Sequence, residues 1–159
     1  MAAASTGLSG RVLAGGDVTI DGAGVVWNII STTPSSIASH NSFADVTALV
    51  KPKIDSAPAG LVDFVITEVS TFGIDGEILA VIFDDPNQTT SNTIILLFGA
   101  QDVTGDVFAI GLAEPINTSD PNLVLDLSLG ISFGFQPTGQ VSLVDINGGA
   151  HYIRCRRSG

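Results

Sequence analysis

Three short apolar runs between residues 61 and 99 decide the fold class of this chain. They read Leu61-Val-Asp-Phe-Val-Ile-Thr-Glu-Val69, Glu77-Ile-Leu-Ala-Val-Ile-Phe83 and Thr93-Ile-Ile-Leu-Leu-Phe98. Each run is too short for a typical helix and is rich in β-branched or aromatic residues, which favours a β-strand. The segments between them, 72–76 and 84–92, consist of turn-forming residues. The stretch is therefore predicted to form three successive strands.

The second and third of these runs are apolar on both faces. No polar side chain interrupts the sequence from Ile78 to Phe83 or from Ile94 to Phe98. A strand that is apolar on both faces is normally covered on both faces. We therefore expect these two strands to lie side by side at the middle of a sheet.

The rest of the chain adds short strands and one possible helical turn. Large apolar residues recur at every second position over 107–113, 123–129 and 131–136, and a last run covers 140–146. Asp45 or Ser42 could cap a helical turn that reaches Val50, and Pro52 would end it. The predicted fold is all-β: an antiparallel β-sandwich, jelly-roll-like, with about nine or ten short strands.

The predicted domain organisation is simple. A flexible N-terminal segment covers residues 1–10, a single β-sandwich domain covers 11–150, and a basic C-terminal tail covers 151–159. The tail holds three of the six basic residues, Arg154, Arg156 and Arg157. The start of the chain lacks the charged and apolar regions of a signal peptide.

Composition excludes several classes of partner. With 16 acidic and 6 basic residues, the formal net charge is −10, which disfavours nucleic acid and anionic lipid as partners. Mean hydropathy is high, at +0.44. No apolar run approaches the roughly 20 residues that span a bilayer, so we expect no membrane insertion. The single cysteine, Cys155, cannot form an internal disulfide.

An ordered series of segments resembles a known kind of domain. Asp45-Val-Thr-Ala-Leu-Val50 resembles a segment of galactose-binding-like jelly rolls. The series from there through Ile74–Pro86, Ile94–Ala100 and Gly111–Pro115 to Asp126–Gln136 is similar to domains of unknown function in large secreted bacterial surface proteins. The resemblance implies a non-catalytic β-sandwich with an extracellular or cell-surface location, and it supplies no catalytic residues. The end of the chain, 152–157, departs from the pattern.

A calcium site is the leading chemical hypothesis. Acidic and amide side chains concentrate in the two turns around the second run, and Ca²⁺ prefers such hard oxygen ligands. The candidate ligands are Asp75, Glu77, Asp84, Asp85 and Asn87. Asp-Pro and Asn are also ordinary turn residues, so both interpretations stay open.

Catalysis and carbohydrate binding have weaker support. Gly130-Ile-Ser-Phe-Gly134 matches the nucleophile-elbow pattern of serine hydrolases, but it lies within a predicted strand and no helix follows it. Neither His40 nor His151 has a spacing that identifies a base or a metal ligand. Trp27 is interpreted as a core or interface residue. A calcium-dependent carbohydrate-binding module remains the alternative function, and a serine hydrolase is a distant one.

The doubly apolar strands also predict an interface. In a two-layer sandwich one face of each sheet meets solvent, so half of these apolar side chains would form an exposed patch. The predicted interface residues are Leu79, Val81, Phe83, Ile94 and Leu96. The alternate residues of the second run, Ile78, Ala80 and Ile82, could face solvent instead, or the 32–60 region could cover the patch. The sequence thus favours a structural or adhesive module that self-associates or packs on a flanking domain.

Overall fold

The computed structural model describes residues 1–7, 10–32, 39–70, 72–90, 92–100, 102, 107–112, 114–124, 126–130, 142–146 and 149–153. Within these residues the chain forms strands and one helix. Their bounds are β1 Ala2–Gly7, β2 Val18–Ile20, β3 Ala23–Gly24, β4 Ile29–Thr32, β5 His40–Asp45, α1 Thr47–Ser56, β6 Ile66–Glu68, β7 Ile74–Ala80, β8 Ser142–Ile146 and β9 Gly149–Ile153.

The strands pair in an antiparallel manner throughout. A four-stranded sheet has the order β4-β5-β1-β7, a three-stranded sheet has the order β3-β2-β6, and β8 pairs with β9. Ser142 lies opposite Ile153 in that last pair. The described chain is therefore mostly strand with one short helix, as an all-β fold requires. We call the first two sheets the large sheet and the small sheet.

The buried core joins both sheets and the helix. Ala3 and Ala44 come from the large sheet, Val18 and Ile20 from the small sheet, and Val50 from α1. Small side chains let the elements approach closely, and such close packing leaves little room for voids. The core therefore holds the two sheets together through alanine and valine rather than through large aromatic residues.

The N-terminal residues are structured, which corrects the prediction of a flexible segment over 1–10. Residues 2–7 form β1, which lies between β5 and β7. Ser5 and Thr6 are buried in it. Alanine and serine have a low β-propensity, so the sequence carried little local signal for this strand. Its position between two other strands supplies the stabilisation.

The two strands predicted at the centre of the sheet lie elsewhere. The first part of the second run, 77–80, belongs to β7. Among the described strands β7 pairs only with β1, so it lies at an edge of the large sheet. The third run, 93–98, forms no strand. It comes close to β4 and β5 only at its end, where the rings of Phe98 and Phe43 lie 5.3 Å apart and Asn41 Nδ2 donates to Gly99 O at 2.7 Å. The predicted central pair is wrong.

The other predicted strands have mixed outcomes. Only 66–68 of the first run is a strand, β6. The described parts of 107–112 and 123–129 contain no strand, whereas the last predicted run is confirmed as β8. The 131–136 run lies outside the described residues. β9 begins at Gly149 and takes in the first three residues of the predicted tail.

The helix is longer than predicted. It runs from Thr47 to Ser56, with Pro52 inside it. The N-cap residue is Val46 and no side-chain cap hydrogen bond forms, so the predicted capping by Asp45 or Ser42 is wrong. Asp45 Oδ1 accepts a hydrogen bond from Thr47 N at 2.9 Å in the turn that leads into the helix. Proline removes one helical hydrogen bond, but Val50 is fully buried and anchors the helix on the core. No helix in the described part of the chain is long and apolar enough to cross a membrane.

Candidate functional site

A β-bulge in β7 sets the direction of the Glu77 side chain. Ser5 lies opposite Glu77 and Gly7 lies opposite Ile74, so β7 advances by three residues over the stretch in which β1 advances by two. Gly76 takes the positive φ of 73° that the bulge needs. Because Ser5 and Gly7 share a face of β1, Ile74 and Glu77 share the facing side of β7. Ile74 belongs to the core, so Glu77 is turned inward.

Glu77 is a half-buried acid in an electronegative environment. Its Oε1 atom is buried and makes no hydrogen bond. Burial raises the pKa of Glu77, and the charge of Glu68 and hydrogen bonding with it raise the pKa further. The hydroxyl of Ser5 acts in the opposite direction. Glu68 is therefore the neighbouring acid that acts on Glu77.

Asp75 adds to this negative charge. It is half-buried at the bulge, and burial raises its pKa. Its charge also contributes to the raised pKa of Glu77. Two of the five predicted calcium ligands, Asp75 and Glu77, thus lie on the bulged part of β7. Glu68 is a neighbouring acid that the sequence did not single out.

The other three predicted ligands lie in an exposed turn. Asp85 Oδ1 accepts hydrogen bonds from Asn87 N at 2.9 Å and from Asn87 Nδ2 at 3.2 Å, and Asp84 is exposed beside them. This is the ordinary turn chemistry that the sequence also allowed. Among the described residues no three His, Cys, Asp or Glu side chains form a group that could hold a metal ion. Calcium binding stays a prediction.

The predicted interface residues divide into two groups. Leu79 and Val81 are partly buried and pack against the core, because they follow Glu77 on the inward face of β7. The outward half of this strand is therefore the alternate set that begins at Ile78. A Cβ atom added to Gly130 would lie 2.4 Å from Ile78 Cδ1, so the chain itself approaches that face.

The remaining predicted interface residues are open to solvent. Phe83 is 74% exposed, and Ile94 and Leu96 are at least half exposed. No described strand pairs with the outer edge of β7. The described part of the chain thus contains both an exposed apolar segment and a strand, β7, that has no partner on its outer edge.

Arg11 ties down the connection between β6 and β7. Its guanidinium donates to the carbonyl oxygens of Ser70 and Phe72 and lies 3.0 Å from Asp17 Oδ2. The backbone of Asp17 accepts a hydrogen bond from Val69 N at 2.9 Å. This network fixes the segment that carries Glu68 on one side and the bulge on the other.

The described structure does not bring together the residues that were considered for catalysis and sugar binding. Ser132 lies outside the described residues. His40 Nδ1 lies 3.0 Å from Thr32 Oγ1, a pairing between neighbouring strands. His151 belongs to β9. Trp27 packs partly buried against the core, as interpreted from the sequence.

An open depression of about 500 Å³ lies beside α1. Its polar lining includes Asp45, Thr47, Lys51 and Asp55. Thr47 Oγ1 donates to Asp45 at 2.6 Å, and Lys51 pairs with Asp55. These groups satisfy one another, so none is aimed at a ligand.

Comparison with family models, with curated proteins and with solved structures gives no match for this chain. The resemblance to galactose-binding-like domains therefore stays a prediction. Sequence reasoning missed Glu68, Ser5 and Ser42 as members of the Glu77 environment. Only strand register brings them together, and no local pattern of residues could have indicated it.

Proposed function

We propose that this protein is a non-catalytic, extracellular structural or adhesive module that assembles with a second copy of itself. The observation that carries the proposal is the exposed apolar segment 92–100, in a chain whose β7 has an unpaired outer edge among the described residues. Soluble monomers rarely expose large contiguous apolar surfaces, and those that occur mark interaction sites.

The segment is apolar on both sides of the chain. Ile94, Ile95, Leu96 and Leu97 are 57%, 44%, 50% and 55% exposed. In an extended chain, consecutive residues point to opposite faces. Association that pairs this segment as a strand would therefore bury apolar side chains on both of its faces, at about 25 cal/mol per Å² of apolar surface.

A second copy of this chain is the partner that fits segment 92–100 and the edge of β7. Within the described residues the chain has both an unpaired edge, on β7, and an extended apolar segment, 92–100, that joins no sheet. Adding an extended segment to an open sheet edge is an established mode of protein recognition. In a pair of copies, segment 92–100 of each copy can add to the outer edge of β7 in the other.

Charge restricts the contact to this part of the surface. The net charge is −10, yet residues 86–101 contain no charged side chain. Two copies can approach through this uncharged stretch without bringing carboxylates together. Elsewhere like charges repel, which keeps the protein soluble and disfavours indiscriminate association.

The proposal includes a two-layer architecture for the fold. Core residues come from both the large and the small sheet, which supports a two-layer β-sandwich of the jelly-roll type with about nine or ten strands. The extracellular location rests on the resemblance to secreted surface proteins. A carbohydrate-binding role is not favoured by the position of Trp27 against the core.

The test is the oligomeric state of the full chain, measured by size-exclusion chromatography with light scattering over a concentration series. We expect a defined oligomer that grows with concentration. Leu96→Lys should give a monomer with an unchanged circular dichroism spectrum. The matched control is Leu61→Lys, because Leu61 is 97% exposed outside the segment, and this variant should still assemble.

Two results would overturn the proposal. One is a wild-type protein that stays monomeric at the highest soluble concentration. The other is equal loss of association in Leu96→Lys and Leu61→Lys, which would indicate non-specific aggregation through any exposed apolar residue.

A further inference from the structure

Three polar residues form a row across the large sheet. Ser42 in β5 lies opposite Ser5 in β1, and Ser5 lies opposite Glu77 in β7. Directly opposite residues of antiparallel strands share a face, with Cβ atoms about 4.5–5.5 Å apart. Two residues along from the serines, Ala3 and Ala44 belong to the core. The row Ser42–Ser5–Glu77 therefore faces the interior.

Three of the four side-chain oxygens in this row form no hydrogen bond of normal geometry. Ser5 is 2% exposed and Ser42 is 0% exposed. The Oγ atoms of both serines and Oε1 of Glu77 are buried without a hydrogen bond. Buried polar groups in native proteins are nearly always satisfied, by protein, water or an ion. Three such oxygens in one row form a polar position in the interior that a water molecule or an ion can occupy.

The small sheet contributes a second carboxylate. Glu68 in β6 lies opposite Val18 in β2, and Val18 is buried in the core. Glu68 therefore shares the inward face of the small sheet and approaches Glu77 from the other layer. Glu68 and Glu77 thus face the space between the two sheets from opposite sides.

Among the residues that the structure describes, no base pairs with these carboxylates. The ion pairs of the described residues involve Arg11, Lys51 and Lys53, and none of them reaches Glu68 or Glu77. Two carboxylates in contact repel unless a proton or a cation lies between them. Oxygen ligands from carboxylates and hydroxyls are those that hard cations prefer.

We propose that Glu77, Glu68 and the hydroxyl of Ser5 bind one calcium ion between the two sheets, with Ser42 behind them in the row. Water and backbone oxygens complete the six to eight ligands that calcium takes. Two carboxylates balance the charge of a divalent ion. This site shares only Glu77 with the ligand set expected from the sequence, and it excludes the exposed turn at Asp84, Asp85 and Asn87. It does not depend on self-association.

The experiment measures thermal unfolding of the full chain by circular dichroism, in EDTA, in millimolar CaCl₂, and in NaCl of matched ionic strength. A ligand that binds only the folded state raises the melting temperature. We expect calcium, but not NaCl, to raise it by several degrees. Glu77→Gln should lose at least nine-tenths of that increment, and it should unfold in EDTA no earlier than the wild type.

Two further variants make the test specific. Ser5→Ala should weaken calcium binding at least tenfold by isothermal titration, while it leaves the melting temperature in EDTA close to that of the wild type. Asp85→Asn, in the exposed turn, should retain the full calcium increment. The wild type should bind one calcium ion per chain.

Several outcomes would overturn the inference. They are an unchanged melting temperature in calcium, an equal rise in NaCl, a full calcium increment in Glu77→Gln, or loss of the increment in Asp85→Asn. An unchanged melting temperature would also mean that a shared proton, rather than a cation, lies between the two carboxyl groups. None of these results depends on the oligomeric state, which tests the proposed function separately.

Discussion

Residues 1–80 and residues 81–130 differ sharply in how they use their apolar side chains. The first region contains α1 and the first seven strands, and among the described residues of 1–130 every buried hydrophobic residue lies at or before Ile74. The described part of the second region contains no strand and no buried residue, and its exposed apolar residues include Phe83, Leu97 and Val107.

The difference shows that hydropathy alone does not make a core. The core of the first region consists largely of alanine and valine, with buried serine and threonine beside them. The apolar runs of the second region contain larger side chains, yet they remain exposed. Burial requires partners on neighbouring strands as well as apolar surface. The following predictions test this contrast, starting with the largest expected effect.

Matched glycine substitutions should separate the two regions most clearly. A Cβ atom on Gly7 would lie 2.1 Å from the backbone oxygen of Arg11, so Gly7→Ala forces the backbone to move. We expect it to lower the free energy of unfolding by about 3 kcal/mol. Gly99→Ala meets nothing within 4 Å and should change stability by about 0.5 kcal/mol or less. Urea denaturation measures both, and equal effects would contradict the contrast.

Matched valine truncations should give the next largest difference. Val50 is 0% exposed and Val107 is 96% exposed. Val50→Ala leaves a cavity between α1 and the sheets, so we expect a loss of about 2 kcal/mol in the free energy of unfolding. Val107→Ala should cost less than about 0.5 kcal/mol. A costly Val107→Ala, measured by the same denaturation experiment, would show that the second region contributes to the core.

The Arg11–Asp17 pair should contribute a smaller amount. Asp17 Oδ2 accepts hydrogen bonds from Arg11 and from Ala14 N at 2.9 Å. Asp17→Asn loses the charge-assisted part of these bonds and should cost about 1 kcal/mol at pH 7. Asp84→Asn is the control, because Asp84 is exposed in the second region. If Asp17→Asn is as stable as this control, the network does not hold the β6–β7 connection.

The pH dependence of the same variant provides the finest test. The hydrogen bond from Ala14 N, and then Arg11, lowers the pKa of Asp17 below its ordinary value of 3.8. Between these two pKa values the unfolded chain binds more protons, so stability rises with pH. The contribution of Asp17 is complete above pH 3.8 and is lost as the pH falls through the lowered pKa. We expect Asp17→Asn to flatten the acid limb of the stability profile; a parallel profile would contradict this.

Local features of the structure could be predicted from the sequence. Short runs bounded by turn residues indicate strands, and β7 and β8 lie close to their predicted positions. The hydrogen bonds between Asp85 and Asn87 match the turn-forming residues of that loop. All of these depend on residues that are neighbours in the chain.

Strand partners and register could not be predicted in the same way. β1 consists of small residues with weak β-propensity, and it becomes a central strand only because β5 and β7 lie on its two sides. Its presence moves the second run to the edge of the sheet and leaves 93–98 without a strand partner. Pairing energy comes from contacts between residues far apart in sequence, which a single apolar run does not specify.

The sequence by itself determined the strand-rich class, the acidic charge and the uncharged stretch over 86–101. Only the tertiary structure decided that Glu77 is turned inward by the bulge at Gly76, opposite Ser5 and on the side of the core that Glu68 also faces. A one-residue change of register moves a side chain to the other face of a sheet. Composition and propensity are properties of each residue, whereas register is fixed by the packing of the whole fold.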